Sequence, residues 1–323
     1  MIVKAIVQNG YGSPDVIELK EIDKPVITKD DDVLVRVHAA ALHAGDCFVM
    51  RGVPYLVKMV AGWPKPKNYI PGFDLAGRVE AVGKNVTKFR PRDEVFGACD
   101  RTCAEYVCAG EKSFTLKPGN LTHVQAAAVP TSAFAALHGL RDAGKIQSGQ
   151  KVLINGASGG VGTFAVQIAK TLGAEVTGVC STRNADLVRS LGADHIIDYT
   201  KEDFTEGGQR FDLILDQVAN RSLSDCRRAL KSNGTHIPNS GNGGLGYVVK
   251  AFAVSLFVRK QGRPYVSSPN NADLLVLKEL IESDKLIPVI DRSFPLSETR
   301  EAFRYLNGGH ARGKVVIIVN QDT

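Results

Sequence analysis

Residues 156–162 read GASGGVG, with glycines at 156, 159, 160 and 162. The motif follows a short apolar run, KVLING (151–156), and leads into TFAVQIAKTLGA (163–174), whose apolar residues recur at helical spacing. A glycine pattern alone is a weak signal. Between a strand and a helix it forms the turn on which a dinucleotide pyrophosphate rests. Gly156 allows the tight turn, Gly159 and Gly160 let the backbone approach the pyrophosphate, and Gly162 permits close packing of helix on strand. The helix start then offers free N–H groups and the positive end of its dipole to phosphate oxygens. The next strand, EVTGVC (175–180), ends in Ser181, Thr182 and Arg183 where an NAD site has an acid for the ribose 2′-hydroxyl. A hydroxyl and a guanidinium suit a 2′-phosphate, which arginine grips bidentately. The expected cofactor is therefore NADPH.

The elements that must carry this site alternate. HIIDY (195–199), FDLILDQV (211–218) and THIPNS (235–240) read as further short strands, with ADLVRSLGA (185–193) and SLSDCRRALK (222–231) as helices between them. Strands alternating with helices of this length imply an α/β unit with a doubly wound parallel sheet. The first third differs. Residues 2–9, 16–22, 32–42, 74–83, 95–99 and 102–110 read as strands, which a partly open barrel would close. After Ala-rich, helical 123–144, broken at Pro130, the α/β unit occupies 124–265. Residues 1–123 and 266–323 form the mostly β domain, with a helix at 272–285, one opened by Ser297, and a final strand at 313–320. Residues 51–70 read as a long aromatic loop, with Tyr55, Met59, Trp63 and Tyr69 as walls of an apolar acceptor pocket.

Bulk composition narrows the partners. The chain has 323 residues, enough for two domains, and a net charge of +6 without a run of five like charges. That fits an anionic nucleotide and gives no reason to expect nucleic acid. Six scattered cysteines fit a reducing compartment. The start, MIVKAIVQNGYG, runs directly into a strand pattern, so a cytoplasmic location is expected. The longest apolar run, VVKAFAVSLFV (248–258), is about half a membrane span and contains Lys250. With Arg259, Lys260 and Arg263 it allows at most peripheral contact with a membrane.

GASGGVG followed by AVQIAKTLGAEV and LVRSLGADHIIDY resembles the medium-chain dehydrogenase/reductases. YGSPDVIEL (11–19), PGFDLAGRVEAVG (71–83) and HARGKVVI (310–317) extend the likeness over essentially the whole chain. These stretches look most like the zeta-crystallin-type quinone oxidoreductases, and the 185–199 and 241–269 segments are also similar to reticulon-interacting mitochondrial and chloroplast-envelope relatives. The resemblance implies a Rossmann nucleotide domain beside a GroES-like domain. It implies nucleotide contacts at Ser158, Gly160, Val161, Ser181, Arg183 and Tyr199, a nicotinamide neighbourhood at Asn239 to Asn242, and closure by the loop holding Arg312. Homodimers are common in that branch.

Zinc-dependent relatives carry a His-Glu pair where this chain has Phe73-Asp74, and a ligand near Gly45-Asp46. Phenylalanine cannot ligate zinc, and Cys99, Cys103 and Cys108 lack the number and spacing of the structural four-cysteine lobe. No metal is expected. Without a Lewis acid, hydride transfer to a quinone or an α,β-unsaturated carbonyl is easier than alcohol oxidation, because the acceptor itself delocalises the charge. Relatives often read Asn-Pro-x-Asp and then a tyrosine near the hydride. Here His43 takes the asparagine position, Asp46 is retained, Phe48 lacks the hydroxyl, and Tyr55 is the nearest phenol. Ala135 replaces another family hydroxyl, for which Thr131 is the nearest substitute. Two other readings stay open: a zinc-free carbonyl or alcohol reductase, and a non-catalytic NADPH-binding scaffold for RNA, membrane or protein.

Overall fold

The computed structural model describes residues 1–53, 55–67, 69–239, 265 and 267–320. It divides into a first unit, Met1–Thr131, Pro269–Asp284 and Pro288–Thr323, and a second, Ser132–Ser268 and Lys285–Ile287. The sequence places its cuts at 123/124 and 265/266.

The first unit is built around one long strand. β1 (Ile2–Gln8) and β2 (Ile17–Asp23) pair as an antiparallel ribbon. β3 (Asp32–Leu42) is buried along nearly its whole length, so it reads as a near-continuous apolar run. One edge of β3 pairs with β4 (Asp74–Val82). The other edge pairs first with β6 (Tyr106–Gly110) and then with β14 (Lys314–Ile318). β5 (Glu94–Ala98) and β7 (Phe114–Leu116) extend the sheet beyond β4, and β13 (Ile290–Pro295) runs parallel to β14. Val33, Val35, Val37, Leu75, Val79, Val95, Val107 and Phe114 form its core.

Helices punctuate this unit where the sequence reading was less complete. α1 (Ala44–Arg51) follows β3 directly and ends at Gly52, whose φ of 63° suits the left-handed helix stop. α2 (Leu56–Ala61) lies inside the stretch read as a loop. α3 (His123–Ala127) packs on β3 and β4. Pro130 breaks the Ala-rich run by opening α4 (Pro130–Leu137), which from Ser132 onward belongs to the second unit and continues into a π-helical turn, His138–Ala143.

The second unit carries the predicted alternation: β8 (Lys151–Asn155), α5 (Gly160–Thr171), β9 (Glu175–Cys180), α6 (Ala185–Ser190), β10 (His195–Asp198), β11 (Phe211–Asp216), α7 (Leu223–Arg228) and β12 (Leu230–Pro238). All five strands are parallel, in the order β10-β9-β8-β11-β12. The winding reverses between β8 and β11, which sets Asn155 beside Asp216 at the carboxyl ends of the strands. Ligands of such sheets bind at that crevice. The returning residue Ile287 is held by Gln167 on α5 through paired bonds of 2.8 and 3.0 Å.

The C-terminal part of the first unit contains α8 (Asn271–Glu282) and α9 (Thr299–Asn307). Ser297 does not open α9. It lies in a 3-10 turn, Leu296–Glu298, and the helix starts two residues later. The Arg300 guanidinium, in the first turn of α9, donates to the carbonyl of Ile17 at 2.8 and 3.3 Å.

Candidate active site

In the second unit the phosphate turn has the geometry its glycines require. Gly156 has φ of 86°, and a side chain at Gly162 would place Cβ 2.0 Å from the Gly156 carbonyl oxygen. Gly159 caps α5 with no side-chain acceptor. The N–H groups of Gly160, Val161 and Gly162 precede the first helical bond, from Thr163 to the Gly159 carbonyl (3.0 Å). That open turn is a ready anion cradle. Beside it, Ser158 Oγ accepts from Asn184 Nδ2 at 3.0 Å.

At the end of β9, Ser181 is buried and Arg183 is exposed. Thr182 is not available to a ligand in the way Ser181-Thr182-Arg183 implied. Its hydroxyl donates to Asp198 and lies 3.3 Å from Thr200 Oγ1. Hydrogen bonds from Thr182 and then Thr200 hold the Asp198 carboxyl well below the usual range. Tyr199 is 50% exposed, its N–H bound to the Cys180 carbonyl at 3.1 Å.

An amide network closes the strand ends. Asp216 Oδ1 accepts from Asn155 Nδ2 (2.8 Å), Ala219 N–H (2.9 Å) and Val218 N–H (3.1 Å). Asn239 donates its N–H to the Asp216 carbonyl (2.8 Å) and its Nδ2 to Gln217 Oε1 (3.0 Å). Burial pushes the Asp216 carboxyl up, but the nearby His236 ring and the Ala219 N–H pull it lower still. Residues 240–242, and the apolar and basic segment with Lys250, Arg259, Lys260 and Arg263, lie outside the described residues.

In the first unit His43 is the N-cap of α1. Its Nδ1 accepts from Asp46 N–H at 3.3 Å, and Asp46 Oδ2 accepts from His43 N–H at 2.8 Å, a reciprocal capping box. The bond to Nδ1 leaves Nε2 as the protonated nitrogen of the neutral ring. The ring stacks on Phe73 at 5.6 Å. Burial pushes the Asp46 carboxyl up, and nearby Asp74 adds to that against the pull of His43.

Asp46 yields a testable sign. A carboxyl raised by folding stabilises below its unfolded pKa, near 4, and that contribution is lost as pH rises through the folded value. Asp46→Asn keeps the cap acceptor and removes the charge. The Tm difference between Asp46→Asn and the parent should therefore shift in the variant's favour as pH rises from 4 to 8. A difference that stays flat across that range would contradict the buried charge.

Asp74, behind Phe73, is spoken for on both oxygens. Oδ1 accepts from Thr131 N–H (2.9 Å) and from the Thr131 hydroxyl, and Oδ2 pairs with Lys314 Nζ at 3.2 Å. Asp74 is 0% and Lys314 1% exposed. Thr131 thus gives its hydroxyl proton to Asp74. The Ala135 carbonyl accepts from the half-buried phenol of Tyr265. Sequence reasoning missed the roles of Lys314, Tyr265 and Asp216, because each is set by a partner distant in the chain.

Tyr55 is 59% exposed, and its ring partners are Trp63 (5.6 Å) and the Lys58 ammonium (5.7 Å). Arg312 presents an exposed side chain from a loop pinned by its N–H to Asp291 Oδ2 (2.9 Å). All six cysteines are free thiols. Burial pushes each of them up, Cys47 to about 12, so none is poised as a thiolate nucleophile. Among the described residues no helix is long and apolar enough to cross a membrane.

Comparison with known proteins places this geometry. Residues 29–139 match the alcohol dehydrogenase GroES-like domain, and residues 191–317 match the zinc-binding dehydrogenase model. A 2-methylene-furan-3-one reductase of Solanum lycopersicum is 36% identical, over 98% of this chain and 79% of its own length. An NADPH-dependent alkenal/one oxidoreductase of Arabidopsis thaliana, chloroplastic by name, is 34% identical over 98% and 79%. The quinone oxidoreductase structure from Coxiella burnetii superposes with a TM-score of 0.88 at 31% identity, covering 99% of this chain and all of that one. The chain belongs to the medium-chain dehydrogenase/reductase superfamily, in its quinone-oxidoreductase-like branch of NAD(P)H-dependent enzymes.

Proposed function

We propose that the chain reduces an apolar quinone or α,β-unsaturated carbonyl with NADPH, without a catalytic metal. The observation that carries the reading is the end of β9, where Ser181 and exposed Arg183 stand in place of a ribose-binding acid. Relatives named for alkenal/one and quinone substrates support the acceptor class. NADPH supplies the hydride when bound. Gly160, Val161 and Gly162 hold its pyrophosphate through N–H groups, with Gly156, Ser158 and Gly159 shaping the turn. Ser181, Arg183 and Tyr199 hold the adenosine end, and Asn239 lies toward the nicotinamide.

The metal-free part of the reading rests on donor chemistry. Phe73 offers no ligand atom, and both Asp74 oxygens are engaged by Thr131 and Lys314. His43, its Nε2 left for donation, hydrogen-bonds the acceptor oxygen as charge develops there, and Asp46 fixes the ring. Tyr55 is the alternative donor, and solvent completes protonation.

The test is an acceptor panel with product identification. NADPH oxidation coupled to quinone loss or C=C saturation is the expected result. Turnover confined to carbonyl-to-alcohol reduction would replace this reading with a carbonyl reductase. Tight NADPH binding without turnover on any acceptor would replace it with a scaffold.

A further inference from the structure

Three side chains that the hydride chemistry does not use converge in the core of the second unit. Asp216 ends β11, His236 lies on β12, and Cys226 lies on α7, the helix that joins those strands. β11 and β12 run parallel with Ile214 beside His236, and α7 packs back on β12. A carboxylate oxygen, a ring nitrogen and the thiol sulfur all lie within 4.8 Å of one another. Asp216 and Cys226 are 0% exposed and His236 is 2%. Among the described residues this is the one group of three such ligands that close together.

The carboxylate is aimed at the others. Three donors fix Asp216 through Oδ1. Its Oδ2 stays buried without a hydrogen bond, 3.5 Å from His236 Nε2, which is buried without one as well. Such a distance is long for a hydrogen bond. It is close to the edge of a tetrahedral ligand set, where bonds of about 2.0–2.1 Å put neighbouring N and O atoms about 3.3 Å apart.

We propose that Asp216, Cys226 and His236 form a structural binding site for one divalent ion of the zinc class. One sulfur, one imidazole nitrogen and one carboxylate oxygen select a borderline-soft ion over magnesium or calcium, which prefer all-oxygen sites. Thiolate and carboxylate together neutralise a dication, so the filled site carries no net charge into the core. On binding, Cys226 releases its thiol proton to solvent, Sγ and the ion form a bond, and a water takes the fourth position. The filled site ties β11, α7 and β12 together. Through Asp216 it also steadies Asn155 and the Val218–Ala219 backbone. The site is separate from the first-unit positions where zinc-dependent relatives hold their catalytic ion.

The full chain, stripped with chelator, is titrated with cobalt(II) and, separately, with zinc. One equivalent of cobalt with a thiolate-to-cobalt charge-transfer band is expected, along with a Tm raised by several degrees at saturating zinc. Both responses should vanish in Cys226→Ala and in His236→Asn. A band that persists in Cys226→Ala overturns the assignment, because another cysteine then holds the ion. Absence of both band and Tm shift in the parent chain overturns it too. X-ray absorption on the cobalt-loaded parent chain decides the matter without any variant. A first shell of one sulfur with nitrogen and oxygen supports the site, and an all-oxygen shell overturns it.

Discussion

Asp74→Ala should destabilise the protein by about 3–5 kcal/mol, because it removes the carboxylate that pairs with a buried ammonium. Lys314 is 1% exposed and its Nζ pairs with Asp74 Oδ2 at 3.2 Å. The Thr131 N–H and hydroxyl lose their acceptor in the same step. Chemical denaturation of parent and variant measures the loss. For a unit of this size each kcal/mol lowers Tm by about 2–4 °C. Asp74→Asn combined with Lys314→Met keeps an acceptor for Thr131 and removes both charges, so most of the stability should return. A loss below about 1 kcal/mol in Asp74→Ala would mean that the ammonium is not held by this pair.

That pair marks the limit of what sequence reasoning reaches. Asp74 and Lys314 are 240 residues apart in the chain. They meet because β4 and β14 flank β3 at the same level, Asp74 and Val316 both registering with Ala41. The β3 run Ala39-Ala40-Ala41 is small enough for a long side chain to cross above it. Nothing local to PGFDLAG or RGKVV states this. The second unit was more legible because its signals are local. Glycine spacing, helical period and short apolar runs each concern about a dozen residues, and all agree with the parallel order β10-β9-β8-β11-β12.

Elsewhere local signals were faint or misleading. α1 has an N-cap histidine in place of the usual Ser, Thr, Asp or Asn, so His43-Ala44-Gly45-Asp46 read as loop although its capping box is complete. β13 contains Arg292, Ser293 and Pro295, and was hidden by its lack of alternation. Asp216, Cys226 and His236 sit on a strand, a helix and a strand, so their spacing matches no familiar ligand motif. For the candidate site, the backbone of the glycine turn was readable from its spacing. The environment of Asp46, buried and pushed up, was not, because burial of an acid in a helix's first turn depends on what packs over it.

Arg183→Ala should raise the KM for NADPH by about 10–100-fold, corresponding to a lost charge-assisted contact of about 1.5–3 kcal/mol. The KM for NADH should change by less than about threefold, since NADH offers no charge at that place. The corner also holds a negative group. Asp198 registers with Cys180 at the end of the neighbouring strand, and its carboxyl is kept ionised by Thr182 and Thr200. On the proposed reading, Arg183 offsets that charge toward an incoming 2′-phosphate. Its removal both withdraws an attraction and exposes a repulsion, and NADPH alone feels either. Arg183→Lys keeps the charge and loses the planar fork, so it should fall between parent and alanine variant. Because Arg183 is exposed, part of its effect is screened, and the parent's preference for NADPH should weaken as salt rises, more than the variant's does. Steady-state kinetics with both coenzymes at two ionic strengths reads all of this. Equal effects of Arg183→Ala on NADPH and NADH would remove the 2′-phosphate from this corner and the NADPH assignment with it.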